Sequence, residues 1–101
     1  MPAFSTEVDN PLGQDEAVTR LTSFVDKVSE KYKDQVSSME GQWTDNVLDF
    51  SLTTYGFTIT GKLVVEPEKV RMEGTLPFAA VAFRGKIQST IAGELERELT
   101  R

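Results

Sequence analysis

Apolar residues in this chain recur at every second position, then at every third and fourth, then at every second through four successive segments, and finally at helical spacing again. Alternation marks a half-buried strand, and spacings of three and four mark a helix lying on a core. The order strand, helix, four strands, helix is therefore the main constraint on the fold. Phe4, Thr6 and Val8 alternate with Ser5, Glu7 and Asp9, and Asn10-Pro-Leu-Gly13 breaks the pattern. The first helix is expected from about Gln14 to about Lys33, with Asp15 and Glu16 near its start, where acids suit the helix dipole. Ala17, Leu21, Phe24, Val25, Val28 and Tyr32 form its apolar stripe.

The next strand is expected over roughly Val36 to Trp43, with Met39, Gly41 and Trp43 on one face. Leu48, Phe50 and Leu52 follow, then Phe57, Ile59, Gly61, Leu63 and Val65, then Val70, Met72, Gly74 and Leu76. Thr44-Asp-Asn46, Tyr55-Gly56 and Glu66-Pro-Glu-Lys69 are the turns. Strands joined this tightly make an antiparallel meander. The expected fold is thus α+β, in the order β-α-β-β-β-β-α, with one antiparallel sheet and two helices packed on one of its faces. Residues 1–101 suit a single domain. The outward side chains, Ser51, Thr53, Thr58, Thr60, Lys62, Arg71, Glu73 and Thr75, suit a face in water or, as the other reading, a homodimer contact.

Pro77 suits the first turn of the closing helix, which starts in the apolar run Leu76-Pro-Phe-Ala-Ala-Val-Ala-Phe83 and extends almost to Arg101. At ~100° per residue, Ala80, Phe83, Ile87, Ile91, Leu95 and Leu99 make the stripe assigned to the core. Phe78, Val81, Ala82, Gly85 and Ala92 remain on a second side. A helix apolar nearly all round is covered on both sides. The cover is either the first helix or the Asn10 to Gly13 loop, or else a partner, meaning a second subunit or an apolar particle. Arg84, beside the core stripe, is expected in a structural ion pair with Asp49, Glu40 or Glu73.

The composition excludes much chemistry. The chain has no Cys and no His, hence no disulfide or thiolate and neither the commonest general base nor the commonest zinc ligand. No Gly-rich phosphate loop, G-x-S-x-G elbow or metal-ligand cluster occurs, and carboxylates such as Asp45 and Asp49 read as solvated groups. The expectation is no enzymatic activity, no cofactor and no metal. A net charge of -5 argues against nucleic acid. No run approaches the ~18 apolar residues of a membrane span, and the N-terminus lacks the pattern of a secretion signal, which points to the cytoplasm.

Asn10-Pro-Leu-Gly13 with Glu16-Ala17 and Arg20-Leu21, then Tyr32, Trp43, Leu48-Asp-Phe50, Tyr55-Gly56, Gly61-Lys-Leu63 and Phe83-Arg-Gly-Lys-Ile87 with Ile91 and Glu94-Leu95, form a pattern spanning nearly the whole chain. It resembles the polyhydroxyalkanoic acid system proteins, small bacterial proteins sometimes encoded near polyester-granule genes. The resemblance implies an accessory protein of polyester storage. Its partner would be the granule or a granule protein, met through Phe78, Val81, Ala82 and Gly85. The element order also resembles the TATA-binding-protein-like and helix-grip folds. A nucleic-acid saddle is excluded because this sheet mixes Asp49 and Glu73 with Lys62 and Arg71. Helix-grip proteins hold apolar ligands between sheet and long helix. The alternative function is therefore a carrier of a small acyl-type ligand lined by Trp43, Phe50, Phe57, Ile59, Met72, Phe83 and Ile87.

Overall fold

The computed structural model describes residues 3–100. In chain order they form β1 (Ala3–Asp9), α1 (Gln14–Leu21), α2 (Phe24–Lys31), β2 (Val36–Thr44), β3 (Val47–Thr54), β4 (Phe57–Val65), β5 (Lys69–Thr75), a 3₁₀ segment (Phe78–Phe83) and α3 (Arg84–Thr100). The strands make one antiparallel sheet of order β1-β5-β4-β3-β2. The α+β expectation holds. The meander runs from β2 to β5, and β1 adds to its far edge by pairing Ala3 with Thr75 and Asp9 with Lys69.

Two hairpins have tight turns. Tyr55 and Gly56 take φ of 50° and 81°, and positive φ at both central residues matches the right-handed twist of the flanking strands. Asp45 alone is left-handed in the β2–β3 turn, at φ 54°, a conformation that Asp tolerates better than most residues. The Asn10 to Gly13 break is pinned by Asn10, which is buried. Its backbone N–H donates to the Glu68 carbonyl at 2.9 Å, its Nδ2 donates to the Glu66 carbonyl at 2.8 Å, and its Oδ1 accepts from the Leu12 N–H at 3.1 Å. The loop is thereby stapled to the β4–β5 turn.

One face of the sheet is dry. Phe4, Val8, Leu48, Phe50, Ile59, Leu63, Val65, Val70 and Met72 are buried in one cluster with Ala17, Leu21 and Phe24 of the first two helices and Leu95 and Leu99 of α3. The opposite face carries the polar row, with hydroxyl contacts Thr53 to Thr58 at 3.3 Å and Thr60 to Thr75 at 3.2 Å. At the centre of the dry face, Gly61 and Gly74 face each other, flanked by Phe50 opposite Gly61 and Phe4 opposite Gly74. A Cβ on Gly61 would meet the Glu73 carbonyl and lie 2.8 Å from Phe50 Cζ. One on Gly74 would lie 2.5 Å from the Thr60 carbonyl and 2.7 Å from Phe4 Cε1. The two rings thus occupy the space the missing side chains leave open.

Two expectations for the helices need correction. The first helix is interrupted at Thr22 and Ser23. Thr22 Oγ1 donates to the Val18 carbonyl at 2.9 Å and its N–H to the Thr19 carbonyl at 3.3 Å, the kind of local competition for backbone groups that weakens a helix. The break lets α1 pack on α3 and β4 while α2 packs along β2. The closing helix starts later than expected. Pro77 is extended, with ψ 150°, and the next six residues wind as 3₁₀ before α3 begins at Arg84. At ~120° per residue instead of ~100°, phase slips by about 100° over five residues. Ala80 therefore stays buried, while Phe83, assigned to the core from the sequence, is 53% exposed.

Gly61→Ala is expected to destabilise the fold by about 1–3 kcal/mol, since the added methyl meets backbone that cannot yield. Denaturant unfolding checks this. A midpoint equal to that of the unmodified protein would show that the strands can separate locally at no cost.

Candidate functional site

Between α2 on one side and the 3₁₀ segment with α3 on the other, the dry face of the sheet is incompletely covered. The opening is a cleft of about 610 Å³, within the ~300–1,000 Å³ usual for small-molecule sites. Its floor is Leu48, Phe50, Ile59, Leu63 and Met72, all buried, with Phe24 and Ala80 at the sides. Val28 of α2 and Tyr32 just after its end form the α2 wall, Ile87 and Ile91 the α3 wall, and Val36, Met39, Leu52 and Phe57 the outer end of the sheet. Tyr55, Phe83 and Lys86 are exposed and stand at the mouth.

Six of the seven residues expected to line an apolar site, Phe50, Phe57, Ile59, Met72, Phe83 and Ile87, come together here. Trp43 does not line the cleft. It packs half-buried against the core, and its indole N–H is buried without a hydrogen-bond partner among the described residues. Sequence reading missed the α2 wall, Val28 and Tyr32, and the lip residues Tyr55, Lys86 and Thr90. The signal was present in the stripe Phe24, Val28, Tyr32, but spacing does not tell which part of a stripe is sealed and which faces a gap.

The residues expected to meet a partner are exposed to different degrees. Phe78 is 77% exposed, Ala82 and Gly85 are exposed, and Val81 is half-buried. Neither the first helix nor the Asn10 to Gly13 loop covers Phe78. Arg84 makes no ion pair with Asp49, Glu40, Glu73 or any other acid among the described residues. It is exposed, and its Nη1 donates to the Ala3 carbonyl at 3.3 Å. One turn along, Gln88 Nε2 donates to the Ser5 carbonyl at 2.6 Å. Both side chains satisfy carbonyls on the outer edge of β1, a row that would otherwise be open to another strand.

The two walls are tied together at the far end of the cleft. Lys27 Nζ pairs with the buried carboxylate of Glu98 at 2.5 Å, and Arg20 Nη1 donates to the Glu98 carbonyl at 3.3 Å. Glu94 accepts from Lys31 at 2.7 Å, from the Tyr32 hydroxyl at 2.8 Å, and from Arg97. Burial pushes the Glu94 carboxyl up, but the bonds from Lys31, Arg97 and Tyr32 outweigh it and hold the pKa at about 2, below its ordinary 4.5. The Tyr32 hydroxyl is pushed up by its bond to Glu94 and by burial. A wider depression, about 940 Å³, lies around Gly61 and Gly74, and its walls carry the polar or charged side chains of Ser5, Asp49, Lys62, Glu73, Arg84 and Gln88. The apolar cleft is the surface that water leaves poorly solvated.

A family profile described as "Putative polyhydroxyalkanoic acid system protein" matches residues 6–99. The chain belongs to this family. Comparison with curated proteins gives no match. Among solved structures, a structural-genomics target from Nitrosospira multiformis is similar at 10% identity and a TM-score of 0.59, covering 98% of this chain and 97% of that one, which supports the fold alone. Ara h 8.0201 is similar at 11% identity, 97% coverage of both chains and a TM-score of 0.46, too far in shape to carry an argument. Among the described residues no helix is long and apolar enough to cross a membrane. Some family-pattern residues have structural roles, and others, such as Tyr32, Phe50, Ile87 and Ile91, line the cleft. Asn10 staples a loop, Tyr55-Gly56 makes a turn, and Gly61 admits a ring.

Because the folded pKa of Glu94 is depressed, its clasp contributes stability that is fully present above about pH 4.5 and is lost as pH falls toward about 2. Glu94→Gln is expected to lower Tm at neutral pH and to flatten the fall in Tm across that acid window. Thermal melts between these pH values check it.

Proposed function

We propose that this member of the family is a non-catalytic cytoplasmic binding protein that takes up a small acyl-type ligand in the cleft between α2, the sheet and α3. One observation carries the reading. A cleft of about 610 Å³ with a floor of Leu48, Phe50, Ile59, Leu63 and Met72 opens between helices tied at one end. An unfilled apolar space of that size forfeits dispersion contacts that a hydrocarbon chain restores. The family description, a polyhydroxyalkanoic acid system protein, agrees with an aliphatic ligand.

Isothermal titration of the purified protein with decanoate or its methyl ester tests the reading. Saturable one-to-one binding is expected, and Ile91→Trp, which fills the cleft from its α3 wall, is expected to reduce it by at least about tenfold while leaving a cooperative melt. Absence of saturation with both probes would sink the proposal.

A second reading rests on the uncovered Phe78. A phenyl ring 77% in water beside exposed Ala79 and Ala82 is the kind of patch that marks a contact with an apolar surface. In this reading the 3₁₀ segment meets a polyester granule or a granule protein. Phe78→Asp with Val81→Asp is expected to abolish cosedimentation with polyhydroxyalkanoate particles. Equal sedimentation of the double variant, or equal binding to inert hydrophobic beads, would remove the support for a granule contact there.

A further inference from the structure

Among the described residues, two charged side chains line the apolar cleft, Lys86 and Glu94. They differ in how they are used. Glu94 is saturated by Lys31, Tyr32 and Arg97, a group whose formal charges leave a net positive balance. Lys86 stands exposed at the mouth, and among the described residues it takes part in no ion pair and no side-chain hydrogen bond. One helical turn further along α3, Thr90 also lines the cleft, and its hydroxyl makes no hydrogen bond among the described residues. Residues four apart on a helix are surface neighbours. Of the remaining polar side chains of the lining, Thr54 Oγ1 donates to the Gln35 carbonyl at 2.6 Å and the Tyr32 hydroxyl to Glu94, while the Gln35 amide and the Tyr55 hydroxyl make no hydrogen bond among the described residues and carry no charge to pair with an anion.

An apolar trough thus ends at a lip where an uncommitted ammonium and an uncommitted hydroxyl sit side by side. Resting on the cleft-binding reading, we infer that the ligand is a free alkanoic acid, its hydrocarbon chain lying on Phe50, Ile59 and Met72 and its carboxylate held at the mouth by Lys86 and Thr90. The chemistry selects an anion over a neutral head group. An ammonium at the edge of a low-polarity cleft gains a charge-assisted hydrogen bond from a carboxylate that an ester carbonyl matches only weakly. The selection is against an amine, which Lys86 repels. An acid is ionised at neutral pH, whereas the same chain in ester linkage is not, so the lip distinguishes released acids from polymer-bound or otherwise esterified acyl groups.

The test titrates decanoate and methyl decanoate into the protein, Lys86→Gln, and Lys62→Gln as a charge control on the outward face of the sheet. The protein is expected to prefer the acid by about tenfold, the worth of one partly solvated charge-assisted bond. Lys86→Gln is expected to erase that preference without changing ester affinity, and Lys62→Gln to keep it. Thr90→Val is expected to weaken acid binding only. Equal affinity for acid and ester, or a preference that survives Lys86→Gln, would overturn the carboxylate assignment while leaving the cleft as an apolar site. Binding of neither probe would overturn the cleft reading as well.

Discussion

The close facing of Gly61 and Gly74 at the middle of the sheet is the contact on which the rest depends. There the backbones of β4 and β5 approach so nearly that a methyl on either residue would strike the partner strand's carbonyl. Glycine within a strand has no side chain to pack and lets another group come close. Here the groups are the rings of Phe50 and Phe4, which lie over the two glycines, and Phe50 is part of the cleft floor. A buried aromatic supplies large apolar area in one rigid piece. The floor of the cleft can therefore stay intact although no helix covers all of it.

The walls owe their positions to charge as well as packing. Leu95 and Leu99 seat the last turns of α3 in the core, and Glu94 and Glu98 on the same stretch reach across to Lys31, Tyr32 and Lys27 of the α2 region. A buried carboxylate is costly unless paired, so Glu98 draws Lys27 to it and sets the distance between the helices. Toward its N-terminus α3 has no such ties to α2. It is held instead by Arg84 and Gln88 on the β1 edge. The helix is thus clamped to α2 at one end and to the sheet edge at the other, and the cleft opens where neither clamp acts.

This division also accounts for the unusual start of the last helix. Phe78 to Phe83 is apolar, but only Ala80 is buried. Winding as 3₁₀ points Phe83 to the mouth of the cleft and leaves Phe78 in water, so the surplus apolar surface is divided between two places instead of forming one partner face. Both places are suited to apolar contact, one concave and one convex.

The order of elements, the antiparallel meander, the polar outer face and most of the floor were legible in the sequence, because strand alternation is enforced by water at every second residue. Family membership was legible too, from glycines and turn residues that act locally. Other features were set only by the tertiary structure. The break at Thr22 and Ser23 takes its effect in the packing, where the two halves of the first helix meet different partners, and β1 lies on the β5 edge, where Asn10 is stapled to the β4–β5 turn. The expected partner of Arg84 was an acid, yet the strand edge offered unsatisfied carbonyls nearer at hand. The cleft itself was beyond reach of periodicity, which identifies residues that avoid water but not whether a neighbouring side chain arrives to cover them. That depends on the separation of α2 and α3, fixed by ion pairs between residues 63 and 71 positions apart in the chain.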